Sequence, residues 1–115
     1  MRRTLAFSLL LAAGPAFAHA ELDRAEPRVG ATVATAPAAV VLGFSDDLLA
    51  EGSSGSVHDS TGARVDVGGL KITGPASRAS LRLRKLGAGD YIVRWRARTD
   101  DGATTQGRFI FTVAP

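Results

Sequence analysis

Two histidines are the side chains in this sequence best suited to binding a metal ion. His19 becomes the N-terminal residue if a leader is cleaved after Ala18. A terminal histidine can bind a metal through its α-amine and its ring Nδ1, and these nitrogen donors suit Cu(II). A copper-binding terminus with histidine at the third position is excluded, because that position is Glu21. Taken alone, a histidine after a cleavage site is usually coincidental.

The second histidine, His58, lies in a predicted strand over residues 54–59. The alternation of apolar and polar residues places Val57 inward and His58 outward. An exposed histidine on a strand is therefore favoured over a metal ligand at this position.

Two pairs of aspartates each follow a predicted strand: Asp46 with Asp47, and Asp100 with Asp101. Acids at strand ends are usually solvated turn residues. Loops cluster at the ends of a β-sandwich and often carry its binding sites. One acid from each pair can therefore meet the other at a metal at the same end of the molecule.

Arginines alternate with apolar or small residues along two predicted strands, at Arg82, Arg84, Arg94, Arg96 and Arg98. The pattern would suit an anionic partner, but the solvent side of two strands explains it without one, and we favour that interpretation. No Gly-rich phosphate loop, nucleophile–histidine pair or pair of catalytic acids is apparent. The sequence therefore indicates a binding protein and not an enzyme.

The first 18 residues have the anatomy of a secretory signal peptide. Arg2 and Arg3 form a short positive region, residues 5–13 are almost wholly apolar, and Ala16 and Ala18 form the small-x-small cleavage pattern. The apolar run is too short to span a bilayer, and a buried N-terminal helix is the alternative. We expect a periplasmic protein that is cleaved after Ala18 and does not span the membrane.

Composition limits what the domain over residues 19–115 can do. Its 97 residues suffice for one compact domain. Loss of Arg2 and Arg3 lowers the formal net charge from +3 to +1, so the basic excess of a nucleic-acid-binding protein is missing and no nucleic-acid partner is expected. Cysteine is absent, which excludes disulfides and thiolate metal sites.

Short β segments separated by Gly, Pro, Asp and Ser follow His19, and no stretch has a convincing helical period. The predicted strands cover residues 39–44, 54–59, 63–67, 80–84, 91–98 and 106–113. We expect an all-β fold, an immunoglobulin-like antiparallel β-sandwich with Greek-key connections and about seven strands.

Four segments match the motifs of one known family in order. They are His19-Ala20-Glu21-Leu22 with Pro27 and Gly30, the strand and turn over residues 37–48 with Phe44-Ser45-Asp46, the Gly-x-Tyr-x-Val-x-Trp pattern over residues 89–95, and Thr99-Asp100-Asp101-Gly102 with Gly107 and Phe111. With these segments the chain resembles the CopC/PcoC-type periplasmic copper-binding proteins over essentially all of its predicted mature length.

The resemblance implies one Cu(II) site at most. His19 matches the terminal ligand of the family, Asp101 the aspartate of its Asp-Gly-His motif, and Asp46 an acid beside the site. The motif histidine falls on Ala103, which cannot coordinate a metal, so we expect a weakened site. The Met-rich Cu(I) site of some members is absent, because the only methionine is Met1.

Two functions remain open on this resemblance. The first is Cu(II) sequestration or delivery in copper resistance or homeostasis, with copper and a CopD-like inner-membrane copper transporter as partners of a monomer. The second is a degenerate interaction module that contacts such a transporter without binding metal, an interpretation that Ala103 favours. Oxidative polysaccharide-cleaving enzymes also use a terminal histidine with copper, but they need a second histidine and a larger substrate platform than this chain offers.

Overall fold

The structure is a computed structural model that describes residues 20–115. The predicted signal peptide, its cleavage position and His19 lie outside the described residues. Within residues 20–115 the chain forms eight strands and no helix: β1 (Leu22–Glu26), β2 (Thr32–Val33), β3 (Ala39–Phe44), β4 (Ser54–Asp59), β5 (Asp66–Thr73), β6 (Arg78–Leu83), β7 (Gly89–Arg98) and β8 (Thr104–Val113). Accordingly, this part of the chain contains no helix able to cross a membrane.

The strands form two four-stranded sheets. One sheet has the order β1-β3-β6-β5 and the other has the order β2-β8-β7-β4. All pairings are antiparallel except that of β2 with β8, which is parallel. The expected all-β, immunoglobulin-like sandwich is confirmed, with eight strands instead of about seven and with one parallel pair.

The strands β1 and β2 were not predicted, and among the predicted strands β5 differs most from its expected bounds. The sequence predicts a strand over residues 63–67 that ends at Gly68 and Gly69, but β5 begins at Asp66 and continues to Thr73. Both glycines have positive φ angles, of 85° and 73°, and the register against β6 shifts at this point. Such a bulge bends a strand while its pairing resumes beyond the irregularity. The glycine pair therefore bends β5 and does not end it.

Alternating side chains of both sheets fill the core. Along β3, Val40, Leu42 and Phe44 are buried, while the residues between them are only half-buried. On the facing sheet the rings of Tyr91 and Phe111 stack, with their centroids 5.4 Å apart. The other buried apolar side chains of β4, β6, β7 and β8 are Val57, Ala79, Leu81, Leu83, Val93, Ala97, Phe109 and Val113.

A buried carboxylate connects the two sheets between their edge strands β4 and β5. Asp66 of β5 accepts hydrogen bonds from the backbone N–H of Val57 in β4, at 2.8 Å, and from the Nε and Nη2 atoms of Arg64, at 2.9 and 3.0 Å. Burial alone would raise the pKa of Asp66, but the bonds from Arg64 and Val57 outweigh burial and bring the pKa below its usual value. This carboxylate is therefore held ionised between the sheets at neutral pH.

Candidate metal centre

The β7–β8 hairpin builds one end of the sandwich. Arg98 and Thr104 are its last paired residues, and residues 99–103 form the loop. The N–H of Gly102 donates to the carbonyl of Thr99 at 3.0 Å, and the N–H of Thr99 donates to the carbonyl of Ala103 at 3.0 Å. Gly102 has φ +89°, a left-handed conformation that residues with a Cβ rarely adopt. Glycine at this position therefore allows the tight turn that carries Asp101.

Asp101 is fixed within this turn by its own carboxylate. Its Oδ1 atom accepts hydrogen bonds from the Thr99 hydroxyl, at 2.5 Å, and from the N–H of Ala103, at 2.9 Å. Thr99 is only 1% exposed, whereas Asp101 lies at the surface. A buried hydroxyl thus orients an exposed carboxylate, and an oriented carboxylate is a suitable metal ligand.

Hydrogen bonds from both sheets hold the first two described residues at the same end. The Thr105 hydroxyl of β8 donates to the carbonyl of Ala20 at 2.6 Å. The N–H of Glu21 donates to the hydroxyl of Ser45 at 2.8 Å, and the N–H of Ser45 donates to the carbonyl of Glu21 at 2.8 Å. Ser45 directly follows β3 of the other sheet, and Ala20 is 1% exposed. We call these three contacts the N-terminal clamp.

Asp46 lies next to the clamp, because it follows Ser45 directly. It is half-buried, and its Oδ1 atom accepts the N–H of Asp47 at 3.0 Å. A little further along, the N–H of Leu49 donates to the carbonyl of Arg98 at 2.8 Å, which ties the segment after β3 to the end of β7. The structure thus places Asp46 and Asp101 on two loops at the same end of the sandwich as the clamped residues.

Residues 20–115 do not contain a group of three side chains able to hold a metal by themselves. At Ala103, where the family motif has a histidine, a half-buried methyl group takes the place of an imidazole. The predicted ligand His19 lies outside the described residues, directly before Ala20. A metal site at this end would therefore need donor atoms from residue 19 in addition to the two carboxylates.

His58 cannot replace the missing imidazole. It pairs with Ile92 in the middle of β7, six residues before the strand ends at Arg98, which corresponds to roughly 20 Å along the sheet. Val57 is fully buried as expected, but His58 is half-buried and not exposed, and its Nδ1 atom is buried without a hydrogen-bond partner in the described part of the chain. The only histidine among residues 20–115 is thus remote from both carboxylates.

Trp95 supports the hairpin beneath the site. Its ring meets that of Phe44 edge-on, with centroids 5.2 Å apart and planes at 69°. It also lies across Gly107, where an added Cβ atom would come within 2.7 Å of the indole. Glycine at position 107 therefore lets the indole cover β8 and connect β7 and β8 to β3.

Sequence reasoning did not identify Ser45, Thr99 and Thr105 as site residues. The first two lie inside the quoted motifs, since Ser45 follows Phe44 and Thr99 begins the segment before Gly102. Thr105 has no local signal, because its partner Ala20 is 85 residues away in the chain. Only the packing of the two sheets brings these hydroxyls to the N-terminal segment.

The fold and this end of the sandwich define a small all-β domain with a clamped N-terminal segment beside two acidic loops. Residues 22–114 match the CopC domain family, and the chain belongs to that family. A comparison with curated proteins gives no significant match.

Solved structures of similar proteins agree with this assignment. CopC from Methylosinus trichosporium OB3b is 35% identical, with a TM-score of 0.78 over 84% of this chain and 95% of that one. PcoC, a methionine-rich copper resistance protein from Escherichia coli, is 27% identical, with a TM-score of 0.70 over 84% of this chain and 99% of that one. A selenomethionine form of PcoC gives 26% identity and a TM-score of 0.68 over 81% of this chain and 98% of that one.

Proposed function

We propose that this protein is exported to the periplasm and binds copper there as Cu(II), at one site on the clamped end of the sandwich. The observation that carries the proposal is the N-terminal clamp, which fixes Ala20 within hydrogen-bond reach of the β7–β8 hairpin that bears Asp101. Consecutive Cα atoms are 3.8 Å apart, so a residue attached to Ala20 begins its side chain at this end of the molecule. Membership of the CopC family supports copper as the metal.

The proposed ligands have distinct roles. After cleavage behind Ala18, His19 would supply its α-amine and a ring nitrogen, and Asp101 would supply a carboxylate oxygen. Asp46 is a nearby acid that balances the charge of the ion. Two nitrogen donors and one oxygen leave a Cu(II) site open where the family motif places a histidine, because Ala103 offers no donor atom there. We expect the site to bind copper more weakly by a few kcal/mol than one with that histidine.

Cu(I) is not expected to bind at a site of its own. Soft thioether and thiolate ligands select Cu(I). The chain has no cysteine, and its one methionine is Met1, inside the predicted signal peptide. PcoC is described as methionine-rich, so the two proteins differ in this respect. The proposed role is therefore sequestration or delivery of Cu(II) and not a redox or catalytic function. We expect the protein to act as a monomer.

A second function is favoured by Ala103. If the site has lost its metal, the same domain would serve as an interaction module that contacts a CopD-like membrane copper transporter. The clamp and the oriented Asp101 carboxylate favour Cu(II) binding, because a module without a metal does not require an oriented acid beside its N-terminus.

The deciding experiment is a Cu(II) titration of the protein purified after export, with its N-terminus checked by mass spectrometry. Electron paramagnetic resonance of the wild type is expected to show one saturable site with nitrogen hyperfine lines. His19→Ala should abolish this signal, and Ala103→His should raise the affinity at least tenfold by restoring an imidazole. Weak, non-saturating binding that is the same in the wild type and His19→Ala would contradict the copper function and leave the interaction module.

A further inference from the structure

The outer face of the β2-β8-β7-β4 sheet carries a cluster of unbalanced arginines. Arg94 of β7 is paired directly with Arg108 of β8, and Arg96 lies two residues further along β7. All three side chains are exposed and point away from the core. We call these three residues the arginine face.

The immediate neighbours of the arginine face offer hydrogen bonds but no negative charge. Gln106 is opposite Arg96 on β8, while Ser54 and Ser56 of β4 are opposite Arg96 and Arg94. These residues line shallow depressions on the sheet together with the arginines and with Arg64, whose charge is balanced by the buried Asp66. A surface of guanidinium, hydroxyl and amide groups suits an oxoanion such as phosphate.

No carboxylate compensates this charge within the described part of the chain. The one ion pair among residues 20–115 joins Arg64 and Asp66. On this side of the strands the acidic side chain is Asp90, at the far end of β7, where its Oδ1 atom accepts the Thr112 hydroxyl at 2.7 Å. Like charges directly opposite each other destabilise a sheet by a few tenths of a kcal/mol or more. The Arg94–Arg108 pair therefore costs stability that an external anion would restore.

Apolar side chains lie beside the arginines on the same face. Ile92 is paired directly with Ile110, one outward-facing row away from Arg94 and Arg108. Ile110 is 48% exposed, which is high for so large an apolar side chain. Binding at a membrane interface scales with the apolar area that is buried and with the attraction of basic groups to anionic lipids, and this face offers both kinds of group.

We propose that this face docks onto the surface of an anionic phospholipid bilayer, with the three arginines on lipid phosphates and Ile110 against the headgroup layer. A bilayer fits this face because it offers phosphates to the arginines and an apolar boundary layer to the exposed side chain of Ile110 beside them. The strands then lie along the membrane, and the end that carries Asp101 stays beside the bilayer. The proposal does not depend on copper binding.

The test is sedimentation of the exported, processed protein with vesicles of phosphatidylglycerol and phosphatidylcholine, against vesicles of phosphatidylcholine alone. Each arginine near an anionic surface contributes about 1 kcal/mol, or about fivefold in binding. Wild type should bind the anionic vesicles, more weakly at higher salt, and Arg94→Gln/Arg96→Gln/Arg108→Gln should lose about a hundredfold.

A matched control removes the same net charge elsewhere, with the triple variant Arg78→Gln/Arg82→Gln/Arg84→Gln. Arg78 and Arg82 lie on β6 of the opposite sheet and Arg84 directly follows it, and all three are exposed. Thermal denaturation checks that both triple variants fold. The control should bind vesicles nearly as well as wild type. Equal losses in the two triple variants, or equal binding of wild type to both kinds of vesicle, would overturn the proposal. Binding to polyglutamate without binding to anionic vesicles would overturn it in favour of an acidic protein partner.

Discussion

Removal of the two side-chain hydrogen bonds of the N-terminal clamp is the most informative perturbation of this protein. Ser45→Ala and Thr105→Val together delete the hydroxyl that accepts the N–H of Glu21 and the hydroxyl that donates to the carbonyl of Ala20. Valine keeps the β-branched shape that a strand favours. The changes therefore remove hydrogen bonds with little loss of packing volume.

The expected magnitude follows from these bonds. A net contribution of about 1 kcal/mol each gives the three bonds of the clamp about 3 kcal/mol in favour of the attached segment. The double variant removes two of them and leaves the carbonyl of the buried residue Ala20 without its donor, which costs about 1 kcal/mol more. The attached and detached states of the segment then become about equally populated, so the apparent copper affinity falls about twofold with the population of the attached state.

Two measurements decide this prediction. Hydrogen exchange of the Glu21 amide should accelerate in the copper-free double variant, and the Cu(II) dissociation constant should rise about twofold. The control is Ser54→Ala/Thr104→Val, a pair of exposed hydroxyls that point away from the core and should change neither quantity. Faster exchange at Glu21 with unchanged copper affinity would refute the role of the clamp, whereas absence of copper binding by the wild type would instead refute the copper function.

Two further predictions concern stability. Gly107→Ala places a Cβ atom against the indole of Trp95 and should destabilise the fold by about 1–3 kcal/mol in thermal or urea unfolding, whereas Gly87→Ala, where a Cβ atom meets nothing, should change it little. Because the pKa of Asp66 is lowered in the folded state, its stabilising contribution is present above the usual value of 3.8 and is lost as the pH falls below it. Asp66→Asn should therefore be less stable than wild type at pH 7, and the difference in unfolding free energy should shrink below about pH 4. An equal difference at pH 7 and below pH 4 would show that Arg64 does not stabilise the ionised carboxylate.

The sequence predicted the elements whose pattern is local. Alternation of apolar and polar residues identified β3 and β4 with their observed bounds, because one face of each strand packs on the core. The same reasoning failed at Gly68 and Gly69, since a glycine pair that bends a strand and one that ends it have the same sequence. Whether pairing with β6 resumes at Leu70 depends on the neighbouring strand.

The residues of the candidate site likewise fall into two groups, those that the sequence predicted and those that only the structure revealed. Motifs in the sequence identified Asp46 and Asp101 and the absence of an imidazole at Ala103. They did not identify Thr105, because its contact with Ala20 spans the whole domain. Nor did they distinguish a balanced from an unbalanced arginine face, since the pairing of Arg94 with Arg108 is set by the register of β7 against β8.

The sequence by itself therefore determined the all-β class, the family and the chemical types of the candidate ligands, because these follow from side-chain identity and short-range spacing. Only the tertiary structure decided which hydroxyls hold the N-terminal segment, that His58 lies remote from the acids, and which charges remain uncompensated. Each of these depends on residues far apart in the chain, whose distances are fixed by strand register and sheet packing.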